Sequence, residues 1–307
     1  MQSPLILVTG ARGFVGRYLC HYLVERGYRV RGTVRADPPA PAPGIEYVAS
    51  GNIDGETDWR PFLIDAAVVV HTAARVHIHG EHADALEPYR RVNVAASENL
   101  ARQAAEVGVQ RLVFLSTIKA REAKPAGGAY EISKLEAEGS LTRIAADTGL
   151  ELVILRPPLV YGPGAGANFA LLSRAVAKGW PLPLGSIRNR RSFIYLGNLC
   201  SAIAACLEHP KAPGGLFEVS DGAPLSTPDF VRAIGRALDR PARLWPCPPG
   251  VLRSLGSALG RSAAADSLTG DLVTNGKAIR ERLDWHAPTP VADALKATFA
   301  AGSLSPP

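Results

Sequence analysis

The chain has 307 residues, 47% of them hydrophobic, and a formal net charge of +6. That length and apolar content bury a full core, in one large domain or two coupled ones. The basic residues are dispersed, which argues against nucleic acid and suits an anionic small molecule. Apolar runs are strand-sized, the longest near residues 66–70, well short of a membrane span. Cys20, Cys200, Cys206 and Cys247 are scattered without a Cys-x-x-Cys pair. They fit free thiols in a reducing cytosol, and a chain that enters β-structure at once leaves no room for a signal peptide, so a cytoplasmic protein is expected.

The first predicted element is the apolar run Leu5-Ile-Leu-Val-Thr, followed by Gly10-Ala-Arg-Gly13-Phe-Val-Gly16 and a helix over residues 14–26. A strand, a glycine-spaced turn and a helix together form a dinucleotide cradle. Gly10 allows the tight turn, Gly13 lets the backbone approach a pyrophosphate, and Gly16 lets helix and strand pack closely. Free N–H groups at the helix start face the phosphates. Further strands are predicted at 29–34, 46–49, 67–72, 112–116 and 151–155, with helices at 87–107 and 130–148, the last stopped by Gly149. Alternating strands and helices imply a Rossmann-like, doubly wound α/β parallel sheet. After Pro157-Pro158 glycine and proline multiply, and helices at 168–178, 196–208 and 228–238 are joined by irregular stretches. The expected organisation is a dinucleotide-binding domain at 1–165, a smaller substrate lobe at 166–301 partly interleaved with it, and a tail at 302–307.

Tyr130-Glu-Ile-Ser-Lys134 puts a phenol and an ammonium on one helix face. An ammonium beside a phenol favours phenolate, making the pair a usable acid/base near neutral pH. Ser116 and Thr117 close a core strand with two hydroxyls able to hold a substrate oxygen. At the end of the second strand, where NAD readers place an acid for the ribose 2′-OH, the chain reads Thr33-Val34-Arg35, with no carboxylate until Asp37. Arg35 and Arg12 could meet a 2′-phosphate, which favours NADP(H) over the alternative, NAD(H) with both arginines as solvated surface charges. His77, His79 and His82 lack metal-ligand spacing, so no metal is expected. Arg156 reads as a buried structural arginine.

Glycine loop, strand-end hydroxyl and Tyr-x-x-x-Lys, in this order, resemble the extended short-chain dehydrogenase/reductases, the NAD-dependent epimerase/dehydratase family. The resemblance runs on through Val70-His-Thr-Ala-Ala74, Asn93, Arg156-Pro-Pro-Leu-Val-Tyr-Gly-Pro163, Asn168-Phe169, Arg191-Ser-Phe-Ile and Leu283-Asp-Trp285. Within the family the chain looks most like bacterial nucleotide-sugar 4-ketoreductases and 4-epimerases. Leu115-Ser-Thr-Ile-Lys119, Arg156 to Gly164 and Pro181-Leu-Pro-Leu-Gly185 are especially similar to ketoreductases of UDP-4-keto-6-deoxy-N-acetylhexosamines. The resemblance implies Tyr130 as general acid, Lys134 on the nicotinamide ribose and lowering the tyrosine pKa, and Thr117, with Ser116 nearby, on the carbonyl. It implies coenzyme contacts from Gly10, Arg12, Gly13, Phe14, Val15, Gly16, Arg35, Ala73, Ala74 and Asn93. Thr117, Asn168, Arg191 and Asp271 would hold the nucleotide sugar, although the arginine many relatives carry three residues before Asp271 is Leu268 here. The expected function is reduction of a 4-keto sugar in O-antigen or capsule synthesis. NAD-dependent 4-epimerisation is the alternative, and a coenzyme-sensing regulator the non-enzyme one. Relatives also imply a homodimer through helices 87–107 and 130–148. Only twelve residues separate Thr117 from Tyr130, fewer than in most relatives.

Overall fold

The computed structural model describes residues 3–40, 42–76, 86–123, 128–258, 260 and 262–300. In chain order the elements begin β1 (Leu5–Thr9), α1 (Phe14–Val24), β2 (Arg29–Val34), β3 (Ile45–Ala49), α2 (Arg60–Leu63), β4 (Ala66–His71), α3 (Leu86–Tyr89) and α4 (Ala96–Glu106). There follow β5 (Arg111–Leu115), α5 (Ala129–Thr148), β6 (Glu151–Arg156), β7 (Leu159–Tyr161), α6 (Ala167–Ala177), β8 (Phe193–Tyr195), α7 (Leu196–Glu208) and β9 (Gly215–Glu218). Helices α8 (Thr227–Ala237), α9 (Pro249–Ala258), α10 (Ser262–Thr269), α11 (Lys277–Leu283) and α12 (Val291–Ala300) complete the described chain. The predicted strands agree with these to within a residue or so at each end.

Two compact units result. The first contains residues 1–157, 200–219 and 276–285; the second contains 158–199, 220–275 and 286–307. The chain thus returns to the first unit twice after residue 165.

In the first unit seven parallel strands lie in the order β3-β2-β1-β4-β5-β6-β9. Alternation along the strands sends Leu7, Val69, Leu112, Phe114 and Ile154 into one core cluster with residues of α4 and α5. The other set, including Ile6, Val8, Val70, Val113 and Val153, is buried as well. A parallel sheet covered on both faces explains why these strands read as continuous apolar runs rather than alternating ones. The strand order reverses between β1 and β4, and ligands of such sheets bind in the crevice beyond the strand ends at that point. Strand β9 did not emerge from the sequence: Gly215-Leu-Phe-Glu is too short and too glycine-bounded to signal a core strand, yet it pairs with β6.

The predicted helix at 87–107 is not one regular helix. It comprises α3, a π-helical stretch at Arg90–Ala95 and then α4. The widened turn places Asn93 in the interior, 1% exposed, and such insertions are frequent at functional sites.

The second unit pairs β7 with β8 and packs Tyr161, Phe169, Phe193, Phe230 and Leu295 into its own apolar cluster. Asp221 ties this unit internally, accepting from the Tyr161 hydroxyl at 2.7 Å and from Asn198 at 2.7 Å. Among the described residues no helix is long and apolar enough to cross a membrane.

Candidate active site

The glycine loop lies at the switch point. Gly10 has φ +71°, and a side chain there would bring its Cβ to 2.9 Å from Ala73 Cα. Gly16 is buried, and a Cβ on it would run into the Gly10 carbonyl. Both constraints are steric and both belong to glycine alone. Gly13 precedes α1 in extended conformation, no side chain caps the helix, and its first turn holds no acid. The helix start is therefore open to an anion. Phe14 and Val15 are part-buried on its first turn, and Ala73 donates its N–H to Thr9 Oγ1 at 3.2 Å, so the loop after β4 is laced to the end of β1. A glycine turn packed this tightly, leading into an uncapped helix start, fits a dinucleotide pyrophosphate.

Arg12 and Arg35 are exposed, and Arg12 Nη1 donates to the Ala36 carbonyl at 3.3 Å. That bond places Arg12 beside the segment that follows β2 and carries Arg35.

Behind this crevice runs a chain of neutral polar groups. His71 at the end of β4 shares a hydrogen bond between Nδ1 and Thr9 Oγ1 (2.7 Å) and one between Nε2 and Ser97 Oγ (2.9 Å). The Ser97 hydroxyl donates to the Asn93 carbonyl at 2.8 Å. Ser97 must then accept from Nε2–H, which leaves Nδ1 to accept from Thr9. Burial pulls the imidazole down to about 3, with the Lys134 charge as a smaller cause, so the ring is neutral. Asn93, expected as a coenzyme contact, spends its amide within the protein. Oδ1 accepts from Arg75 N–H (2.7 Å), and Nδ2 donates to the Arg75 carbonyl (3.0 Å) and Ser133 Oγ (2.9 Å). Ser133 in turn donates to the Tyr130 carbonyl at 2.8 Å. The loop carrying Ala73 and Ala74 is stapled in this way to the helix carrying the phenol.

Helix α5 starts after Gly128, whose backbone is extended, and runs to Gly149. Tyr130 is part-buried in its first turn. Lys134 is 1% exposed, and its ammonium lies 3.8 Å from the centroid of the Phe114 ring. Burial pulls Lys134 down to about 7, opposed by Glu138. The expectation that Lys134 lowers the Tyr130 pKa is not met in this structure. Burial pushes the phenol well above its ordinary value, and the neighbouring Glu131 carboxylate pushes it further the same way. A desolvated phenol keeps its proton, which is the form a proton donor needs.

Thr117 follows β5 in extended conformation and is part-buried. Its hydroxyl accepts a long bond, 3.4 Å, from Lys119 N–H, so its proton is still available for an oxygen nearby. Ser116 differs, because its hydroxyl donates to Glu138 inside the core. Of the two predicted hydroxyls, Ser116 is committed to the core and Thr117 is the less buried. Arg156 is ion-paired with Glu138, in keeping with its reading as a buried structural arginine.

Within the second unit Arg191 is 7% exposed and donates from Nη1 to the Gly270 carbonyl at 2.9 Å. Asp271 is exposed and accepts from Arg190 N–H at 2.8 Å. Asn168 lies in the first turn of α6. His77, His79 and His82 fall outside the described residues. Sequence reasoning missed His71, Ser133 and Glu138 as supports of the site. Glu138 carried a signal, since it continues the Tyr130, Lys134 spacing by one more helical turn.

Fold and site together define a Rossmann-like α/β protein with a glycine turn at the switch point of its sheet and a Tyr–Lys pair on one face of α5. The chain belongs to the NAD dependent epimerase/dehydratase family, whose model matches residues 6–220. It is 40% identical to a UDP-glucose 4-epimerase of Vibrio cholerae, covering 95% of this chain and 94% of that protein. Two Bacillus cereus structures share the fold. A UDP-N-acetylglucosamine 4-epimerase superposes with a TM-score of 0.79 at 21% identity, covering 97% of this chain and 99% of the other. A UDP-glucuronic acid 4-epimerase in complex with NAD gives 0.75 at 20% identity, covering 96% and 95%.

Proposed function

We propose that the protein is a coenzyme-dependent enzyme acting at C4 of a UDP-linked sugar, with 4-epimerisation as its reaction. One observation carries the reading: a chain with a glycine turn at its switch point, a Tyr–Lys pair on one helix face and a strand-end hydroxyl is 40% identical to a 4-epimerase over nearly its whole length. When bound, the nicotinamide supplies the hydride acceptor and donor at C4. Gly10, Gly13 and Gly16 make room for the pyrophosphate, with Phe14, Val15, Ala73 and Ala74 around it. For 4-epimerisation Tyr130 acts first as phenolate, taking the C4 hydroxyl proton as hydride leaves C4 and returning it when hydride comes back to the other face, and Thr117 orients that oxygen through its hydroxyl. Lys134 holds the nicotinamide ribose and stands as counter-charge when the phenol has lost its proton. Asn168 and Arg191 take the sugar diphosphate, and Asp271 the nucleotide's ribose.

A second reading, reduction of a UDP-4-keto-6-deoxy-N-acetylhexosamine, is favoured by the similarity of residues 115–119, 156–164 and 181–185 to such ketoreductases. Arg35 and Arg12, the latter bonded to the segment that follows β2, then favour NADP(H) over NAD(H). Coenzyme traffic separates the two. An epimerase carries NAD through purification and interconverts UDP-glucose or UDP-N-acetylglucosamine with the C4 epimer, read by proton NMR. A reductase consumes added NADPH with the keto sugar. Tyr130→Phe lowers either turnover by roughly 10²–10⁴-fold while NADH still binds; undiminished turnover in the variant overturns the assignment. Coenzyme binding with no turnover on any UDP-sugar points instead to a regulator. The homodimer implied by relatives is checked by sedimentation.

A further inference from the structure

Tyr130, Lys134 and Glu138 occupy positions i, i+4 and i+8 of α5, on one face. Glu138 is 4% exposed, where a carboxylate is almost never found without partners. Its partners come from two strand ends. Ser116, following β5, donates its hydroxyl to Oε1. Arg156, closing β6, donates from Nε to the same oxygen at 2.9 Å and from Nη2 to Oε2. The carboxylate therefore clamps the phenol-bearing helix to the two strands that carry Thr117 and the turn beyond it.

The surroundings of Lys134 give that carboxylate a second task. From β5 the ammonium meets the face of Phe114, and from β4 the neutral His71 is near enough to feel its charge. On its own helix Tyr130 is a protonated phenol, and Glu131 is turned to Lys119 at 2.7 Å. Arg156 is paired with Glu138, and Glu218 is taken by Arg121 at 2.9 Å. Glu138 is the anion whose charge acts on Lys134.

We propose that Glu138 is a positioning residue for the Tyr130–Lys134 pair, clamping the catalytic helix to the ends of β5 and β6 and supplying the counter-charge of the buried Lys134 ammonium. The proposal rests on the coenzyme-dependent reading above for its consequence, because Lys134 holds the coenzyme as an ammonium. A lysine brought near 7 by burial stands at its midpoint in neutral solution. A fall of one unit in its pKa removes about nine-tenths of the remaining ammonium at mildly alkaline pH.

The test reads Lys134 directly. In protein carrying ¹³C-labelled lysine, the Lys134 Cε resonance is assigned by its loss in Lys134→Met and titrated in wild type, Glu138→Asp, Glu138→Gln and Glu138→Gln/Arg156→Gln. Thermal melts establish that each variant is folded, and the double variant avoids leaving Arg156 as an unpaired buried charge. The aspartate is expected to hold the wild-type midpoint and Glu138→Gln to lower it by about one unit or more, while the double variant, which loses a cation with the anion, lowers it less. NADH affinity, followed by nicotinamide fluorescence over the same range, is then expected to fall roughly tenfold on the alkaline side and little on the acid side. An unmoved midpoint in folded Glu138→Gln overturns the proposal, as does a loss of affinity equal at every pH, which marks a merely structural role. If the midpoint moves but wild type binds no coenzyme, the proposed function falls and the Glu138–Lys134 coupling stands.

Discussion

Two buried polar assemblies support the first half of α5, and they are made of opposite materials. One is the neutral chain Thr9–His71–Ser97–Asn93–Ser133, whose members are hydrogen-bonded end to end. The other is the charged cluster Lys134–Glu138–Arg156 with Ser116 attached. Neutral groups with all their bonds made impose geometry and cost little to bury. Charges impose geometry too, but each depends on its partner, and removing one leaves the other exposed to the full desolvation penalty. The site thus separates two tasks. The neutral chain joins the loop after β4 to α5, and the charged cluster ties α5 to the ends of β5 and β6, with control of Lys134 protonation as its proposed second task.

Three changes would break or sharpen this contrast. The largest effect is expected from Arg156→Ala, which leaves the Glu138 carboxylate uncompensated in the core and costs about 3–5 kcal/mol. Urea unfolding measures it, and a loss under 1 kcal/mol would mean that the cluster is far wetter than its burial implies. His71→Gln is expected to act through pH. Its folded pKa of about 3 lies below the unfolded value near 6.5. The unfolded chain therefore takes up a proton that the folded chain refuses, and stability falls as pH drops below 6.5. Between pH 6.5 and 5 the loss is roughly 1.5–2 kcal/mol; unfolding curves at the two pH values should show that increment in wild type and not in the variant. The smallest effect is expected from Ser133→Ala, about 1 kcal/mol for a neutral bond, with the Lys134 midpoint unchanged. A midpoint that moved with Ser133 would abolish the division between the two assemblies.

Much of the coenzyme half was legible along the chain because its requirements are local. A tight turn and a close helix–strand approach demand glycine whatever else surrounds them, so Gly10 and Gly16 announce themselves. The Tyr130–Lys134 pair is likewise set by helical spacing. The supports behind these groups were not legible, since each bond in them spans a long stretch of sequence: Thr9 to His71 is 62 residues, and Asn93 to Ser133 is 40. The π-helical turn at Arg90–Ala95 has no breaker residue to mark it; its sequence reads as ordinary helix until Asn93 must reach Arg75 and Ser133 at once.

The order of strands and helices, the glycine cradle and the spacing of the phenol and the amine are properties of the linear chain, because steric limits and helical periodicity act over a few residues. Which groups stay neutral, which of Ser116 and Thr117 is committed to the core, and which way the Tyr130 pKa moves were settled only when distant segments packed together. Desolvation and charge pairing depend on what surrounds a group in space, and a sequence does not specify those neighbours until it has folded.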